Sequence, residues 1–195
     1  MGAIARYGLG LILATAAAAG PCAAQESAPV VLPRPVAAQD PPKVVPQVLG
    51  RATMENTSLT VSLGRQRACL LVDGVVAIDT PVSTGKRRGL TPAGDYTIAE
   101  KLNEHRSNLY GDFVDREGRP VRSGVSTRID AAPSGTVFRI VPVQYFMRLA
   151  PNGVVLHAGR LPGYAAADGA VRLPPDIAPL IHERVKPGTP VKIGD

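Results

Sequence analysis

The chain is short of the residues that most often mark a metal site, a disulfide framework or a nucleic-acid surface. Its 195 residues contain no tryptophan, two cysteines and three histidines. With so few histidines and thiols no zinc-ligand set of the usual spacing can be assembled, so we expect no metal and no cofactor. The chain also has no phosphate-binding glycine loop and no basic run interleaved with aromatic residues. Nucleic acid is therefore excluded as the expected partner.

Long apolar runs are lacking as well. The run at residues 9–19 follows Arg6 and is shorter than the roughly 20 residues needed to span a bilayer. The small residues Cys22, Ala23 and Ala24 come shortly after it and are suited to signal peptidase. We predict a signal peptide over residues 1–24, export to the periplasm or cell envelope, and no transmembrane span after cleavage. A retained N-terminal anchor is the alternative.

Cleavage at that point leaves Cys69 as the one thiol, so no internal disulfide is expected. Cys69 lies in an apolar run at residues 68–72, where a thiol is expected to be a small buried side chain. The chain carries 22 lysines and arginines against 16 acidic residues, a net charge of +6. A basic exported protein suits an acidic partner such as a wall polymer, although ordinary solubilising charge explains the same excess.

Residues 25–57 are predicted to be a proline-rich linker. Six prolines fall between Pro29 and Pro46. Because proline fixes φ and lacks an amide donor, we expect an extended polyproline II segment that joins no sheet.

From residue 58 to residue 195 the pattern predicts one mainly β domain. Glycine and proline separate the strands at short intervals, which indicates a β-sandwich or closed sheet rather than alternating βαβ units. One short C-terminal helix is predicted after Pro174 and Pro175, where apolar residues recur at helical spacing. Residues 101–133 have few strand signals and several charges, so they are predicted to be a loop-rich insertion near the site. The predicted strands cover residues 59–63, 68–72, 75–78, 95–99, 136–141, 145–149, 154–156 and 191–193.

The most informative segment runs from His157 to Leu173. It begins H-A-G, continues L-P-G-Y at residues 161–164 and ends D-G-A-V-R-L at residues 168–173. The runs D-T-P-V-S-T-G at 79–85 and L-T-P-A-G-D-Y at 90–96 precede it. In this order the segments resemble the YkuD-type L,D-transpeptidases, in which H-x-G and L-P-G-Y are followed by S-H-G-C-[VI]-R-L. The resemblance implies a YkuD-like L,D-transpeptidase β-sandwich.

Three positions depart from the family pattern. Ala167, Asp168 and Ala170 stand where the family has serine, histidine and the nucleophilic cysteine. In the family the thiolate attacks a carbonyl of a peptidoglycan stem peptide, with help from a base and from oxyanion donors. A methyl group cannot attack a carbonyl, and an aspartate carboxylate is a poor base for a thiol proton at neutral pH. The resemblance therefore implies that no catalytic residue is intact, with Ala170 at the nucleophile position and Asp168 at the base position.

Other residues of the motif around position 170 match the family pattern, and the resemblance makes several residues of the motif candidates for substrate binding. Glycine at 169 would let neighbouring amides point into the pocket, and Arg172 has the planar fork that suits carboxylates. The alternative for His157 is a role as a hydrogen-bonded residue at a strand end. The alternative for Arg172 is an ion pair with Asp168 or another acidic residue. The candidates are His157, Gly159, Tyr164, Asp168, Gly169 and Arg172.

The leading hypothesis is a cell-envelope pseudoenzyme that binds peptidoglycan stem peptides or a wall-processing enzyme. One alternative is an L,D-transpeptidase or carboxypeptidase that works without cysteine, using Asp168 to activate water or a hydroxyl. Another is a scaffold whose partner surface lies on the 101–133 insertion. The oligomeric state is left open.

Overall fold

The structure is a computed structural model that describes residues 39–106, 108–128 and 130–195. The predicted signal peptide of residues 1–24 and the first part of the predicted linker lie outside the described residues. Within the described residues, strands predominate over helices. The elements are β1 (Lys43–Val44), α1 (Pro46–Leu49), β2 (Thr57–Ser62), β3 (Arg67–Val72), β4 (Val75–Pro81), β5 (Gly94–His105), β6 (Tyr110–Val114), β7 (Pro120–Ser126), β8 (Val137–Ile140), β9 (Val143–Ala150), β10 (Val155–Ala158), β11 (Val171–Leu173), α2 (Ala178–Arg184) and β12 (Pro190–Gly194).

The principal sheet has nine strands in the order β1-β4-β3-β2-β12-β5-β9-β10-β11. Burial alternates along β2 and β3, as expected for strands with one face on a core. Ser83, just after β4, pairs with Arg172 of β11 at the far end of the strand order. This bridge brings the two sides of the curled sheet together, and the prediction of a mainly β domain is confirmed. The core contains Leu59, Leu70, Ile78, Ile98, Met147, Leu149, Leu156, Leu173, Ile181 and Ile193, all nearly inaccessible to solvent.

Part of the predicted linker is folded onto the domain, so the prediction that it joins no sheet is wrong. Lys43 and Val44 pair with β4 in antiparallel register, and the Val45 amide donates to the Ala77 carbonyl at 2.8 Å. These consecutive residues are not proline, so their amides are free to pair with a sheet edge. Pro46 then begins the one-turn helix α1, where a missing amide donor costs nothing.

The segment predicted to be a loop-rich insertion contains regular structure instead. β6 and β7 lie within residues 101–133, and they form a three-stranded sheet of order β7-β6-β8. Phe113 is buried and meets Phe138 edge-on, with ring centroids 6.0 Å apart. Gly111 permits the close approach of β6 to β8, because a Cβ there would lie 2.1 Å from the Arg139 carbonyl oxygen. The many charges of the segment hid this small apolar contact from the sequence pattern.

The predicted C-terminal helix is present as α2. Ile181 is buried on its inner face, and Ile177 is buried at the N-cap position just before the helix. Lys101 donates its Nζ to the carbonyl oxygens of His182 and Val185 at 2.6 and 2.9 Å, which satisfies acceptors at the end of the helix. Within the described residues, no helix has the length and apolar character needed to cross a membrane.

Cys69 differs from its expected position. It lies on β3 between the buried residues Ala68 and Leu70, and it therefore faces away from the core and is only partly buried. Burial and the nearby Asp79 raise the pKa of the Cys69 thiol. The thiol is thus neither a core side chain nor an activated nucleophile.

Candidate functional site

The motif residues line an open cavity of about 430 Å³. β10 and β11 run parallel there, with His157 opposite Arg172 in the register. Ala170 lies at the cavity wall, so the place of the family nucleophile is accessible and is not filled by a neighbouring side chain. The opposite side comes from the three-stranded sheet and the end of β5. Its lining residues include His105, Tyr110, Gly111, Asp112, Ser123 and Gly124.

A second cavity, of about 270 Å³, lies on the other side of Ala170. It is lined by Leu90, Pro92, residues 152–155 and Gly169, and it shares Tyr110, Val155, Asp168 and Ala170 with the larger cavity. The two cavities therefore meet at the Asp168–Ala170 segment.

The loop that carries the motif is anchored by hydrogen bonds from a neighbouring buried strand end. Ser83 is inaccessible to solvent; its hydroxyl donates to the Tyr164 carbonyl at 2.7 Å and accepts from the Ala166 amide at 3.0 Å. Thr84 and Ala167 are joined by a backbone hydrogen bond of 2.9 Å. These contacts fix the loop before and at the position where the family sequence has serine.

Two further contacts fix the loop on the side of Gly169. The Thr91 hydroxyl donates to the Gly169 carbonyl at 3.0 Å and accepts from the Gly85 amide at 2.9 Å. Gly169 has a φ of 111°, and a Cβ there would lie 3.0 Å from the Leu90 carbonyl oxygen. Glycine is therefore required by both the backbone conformation and the space.

Asp168 makes an ion pair that the sequence analysis missed. Its Oδ1 lies 2.6 Å from the Nζ of Lys86, which follows the S-T-G segment. The sequence had offered Arg172 as the partner of Asp168, and that pairing is wrong. Oδ1 is buried, and the Lys86 ammonium is its one partner among the described residues.

His157 is a neutral side chain at the cavity wall. Its Nδ1 lies 2.8 Å from the Ala158 carbonyl oxygen, and since a carbonyl only accepts, Nδ1 carries a proton. Burial lowers the pKa of His157; the Arg172 charge also lowers it, and the Ala158 contact opposes both. At neutral pH the ring therefore keeps Nε2 as an acceptor for a ligand.

The Arg172 side chain is partly buried, and its charge is unpaired within the part of the chain that the structure describes. Among the described residues its guanidinium makes no hydrogen bond and no ion pair. Its side-chain carbons lie against Gly159, where a Cβ would come within 3.2 Å of them. Gly159 thus leaves room for the arginine at the cavity wall, and the guanidinium is available to an anion.

Of the six candidates, five line the two cavities and Tyr164 does not. Tyr164 contributes its backbone carbonyl to the Ser83 contact. The sequence analysis missed Lys86, His105 and Asp112 as residues of the site. For His105 and Asp112, the one signal in the sequence was the expectation that residues 101–133 lie near the site.

The family model of the YkuD L,D-transpeptidase catalytic domain matches residues 56–193 of the chain. The chain belongs to this family. Among solved structures, the YkuD domain is similar to an L,D-transpeptidase from Mycobacterium smegmatis, at 21% identity and a TM-score of 0.52, over 71% of this chain and 58% of that one. It is also similar to a mutant of the Enterococcus faecium L,D-transpeptidase, at 26% identity and a TM-score of 0.50, over 72% and 50%.

A third similar structure is L,D-transpeptidase 3 from Mycobacterium tuberculosis in complex with a faropenem-derived adduct. It has 20% identity and a TM-score of 0.50, over 72% of this chain and 60% of that one. The chain thus spans little more than half the length of these relatives. A comparison with curated protein sequences found no significant match. The recognised family and fold are confirmed: residues 56–193 form an L,D-transpeptidase-like YkuD domain.

Proposed function

We propose that this YkuD domain is a pseudoenzyme of the cell envelope that binds peptidoglycan stem peptides without cleaving or joining them. The observation that carries the proposal is the open groove around Ala170. Ala170 lines two open cavities, while the residue itself has no nucleophilic atom. The exported location and the stem-peptide ligand come from the leader sequence and the family.

The hydrogen bonds of the nearby hydroxyls support binding over catalysis. Ser83 and Thr91 both donate to backbone carbonyls, so their oxygens serve the loop. No hydroxyl or thiol among the described residues hydrogen-bonds to Asp168. Nucleophilic catalysis requires a nucleophile within hydrogen-bond distance of its general base. Asp168 has no such nucleophile beside it among the described residues.

The polar groups that remain suit a peptide ligand. The unpaired Arg172 guanidinium offers bidentate donors to a carboxylate, and neutral His157 offers an acceptor for an amide N–H. The larger cavity also contains apolar surface from Val143, Phe146 and Val155. A few convergent polar groups in a mainly apolar groove are typical of a ligand site.

The test is a calorimetric titration of the full chain with purified muropeptides. We expect saturable binding at submillimolar concentration. Ala170→Leu fills the junction of the two cavities and should abolish binding. Ala131→Leu adds the same side chain at an exposed position outside both cavities and should leave binding unchanged.

No association at millimolar muropeptide would overturn the proposal. Equal binding by the wild type and Ala170→Leu would show that the ligand binds elsewhere, for example on the 101–133 segment. Turnover of tetrapeptide-bearing sacculi that disappears in Asp168→Asn would favour the enzymatic alternative.

A further inference from the structure

We propose that Asp168 is a recognition site for an ammonium group, in a ligand whose carboxylate contacts Arg172. The inference rests on the proposed function. It specifies the bound group as an unblocked amino acid centre, which carries both an ammonium and a carboxylate. Asp168 stands where the family has histidine, so a carboxylate replaces the imidazole at this position.

The location of Asp168 supports this role. It lines both cavities and lies two residues before Ala170, so it borders the junction through which a ligand passes. Its side chain is 18% exposed, compared with 43% for its partner Lys86. The carboxylate is thus mostly shielded from water but borders both cavities, where a charged contact is stronger than at an open surface.

Asp168 also has unused hydrogen-bonding capacity. A carboxylate provides about four acceptor positions. Among the described residues its one partner is the Lys86 ammonium, which contacts the buried Oδ1. An ammonium on a ligand can bind at the remaining acceptor positions. A charge-assisted hydrogen bond formed there contributes to affinity.

The second carboxylate of the larger cavity, Asp112, contacts the three-stranded sheet and does not line the smaller cavity. Asp112 accepts a hydrogen bond from the Gly124 amide at 3.0 Å through Oδ1, and its Oδ2 lies 3.9 Å from the Arg139 guanidinium. Both of its oxygens therefore serve the three-stranded sheet. Asp168 is the carboxylate that borders both cavities.

The other charges of the site select a zwitterion rather than a simple cation. Arg172 has no partner among the described residues and attracts a carboxylate, while it would repel a ligand of positive charge alone. Neutral His157 lies opposite Arg172 in the register and adds no competing charge. A ligand with an ammonium and a carboxylate can contact both Asp168 and Arg172.

The experiment compares two peptides in calorimetric titrations of the full chain. Both are stem tripeptides with a blocked N-terminus and a C-terminal diaminopimelate residue, and one of them is acetylated on the side-chain amine. For the wild type we expect acetylation to weaken binding about tenfold, the effect of one charge-assisted hydrogen bond. Asp168→Asn should bind both peptides equally, whereas Asp95→Asn removes an exposed carboxylate outside the cavities and should retain the preference.

Lys86→Met separates recognition from a structural role of the ion pair. If Asp168 recognises the ammonium, removing its competitor raises the affinity for the free-amine peptide about threefold or more and leaves the acetylated peptide unaffected. If the ion pair merely fixes the loop, both affinities fall. Thermal unfolding of each variant confirms that it is folded.

The outcomes distinguish the two proposals. Equal binding of the two peptides by the wild type overturns the ammonium site and leaves the proposed function standing. Absence of binding by either peptide at millimolar concentration overturns the proposed function, and the ammonium site with it.

Discussion

The Ser83 hydroxyl is the contact on which the shape of the candidate site depends most directly. It joins the strand end after β4 to the motif loop, donating to the Tyr164 carbonyl and accepting from the Ala166 amide. Ser83→Ala removes both hydrogen bonds and leaves almost no cavity, since only one oxygen atom is lost. The change therefore isolates the polar contribution of this anchor.

The expected magnitude follows from the two groups left unsatisfied. Each buried donor or acceptor without a partner costs about 1–3 kcal/mol. Tyr164 and Ala166 are partly rather than fully buried, so each cost belongs in the lower part of that range. We expect Ser83→Ala to lower the free energy of unfolding by about 2–4 kcal/mol.

Urea denaturation measures this change, and hydrogen exchange of the Ala166 amide reports on the loop itself. The amide should lose protection in Ser83→Ala. Ser134→Ala is the matched control, because Ser134 is exposed and makes no side-chain hydrogen bond among the described residues. A loss below about 0.5 kcal/mol with unchanged protection would refute the view that Ser83 fixes the motif loop.

Three further predictions concern the supports of the fold. Lys101→Met removes the donor to the carbonyls of His182 and Val185 and should lower the free energy of unfolding by about 1 kcal/mol in urea denaturation. Gly111→Ala forces a Cβ against the Arg139 carbonyl, so it should lower the free energy of unfolding by about 2–3 kcal/mol in the same assay. It should also weaken stem-peptide binding. An unchanged unfolding midpoint would contradict this prediction. Burial and the Lys101 charge lower the pKa of His182 below its ordinary 6.5, so the unfolded chain binds the proton first as pH falls. Stability should therefore decrease below pH 6.5, by at most about 1.4 kcal/mol per pH unit, and a flatter pH profile in His182→Gln checks the assignment.

The sequence predicted the parts of the site that follow from local order along the chain. The strand Val171–Leu173 and the glycine at 169 lie in one continuous motif, so their proximity needed no knowledge of tertiary structure. The strand end at 79–85 was recognised by its likeness to the family. The folded site also depends on the bridge from Ser83 to Arg172, which lies between distant parts of the chain.

The ion pair between Lys86 and Asp168 shows why the rest was missed. Lys86 follows a strand-end motif as one of three consecutive basic residues, and nothing in that run distinguishes it. Its position is set by the hydrogen bond from its own amide to the Ala167 carbonyl at 2.8 Å, which is a long-range contact. The three-stranded sheet was missed for a similar reason, because Phe113 and Phe138 lie 25 positions apart and meet only in the fold.

The central claim is that the groove around Ala170 binds stem peptides and leaves them unchanged. Equilibrium dialysis of the full chain against a tetrapeptide muropeptide, followed by mass spectrometry of the recovered ligand, tests both halves of that claim at once. We expect saturable retention of the muropeptide with its mass unaltered after prolonged incubation. Recovery of a shortened or cross-linked product, or no retention at millimolar concentration, would contradict it.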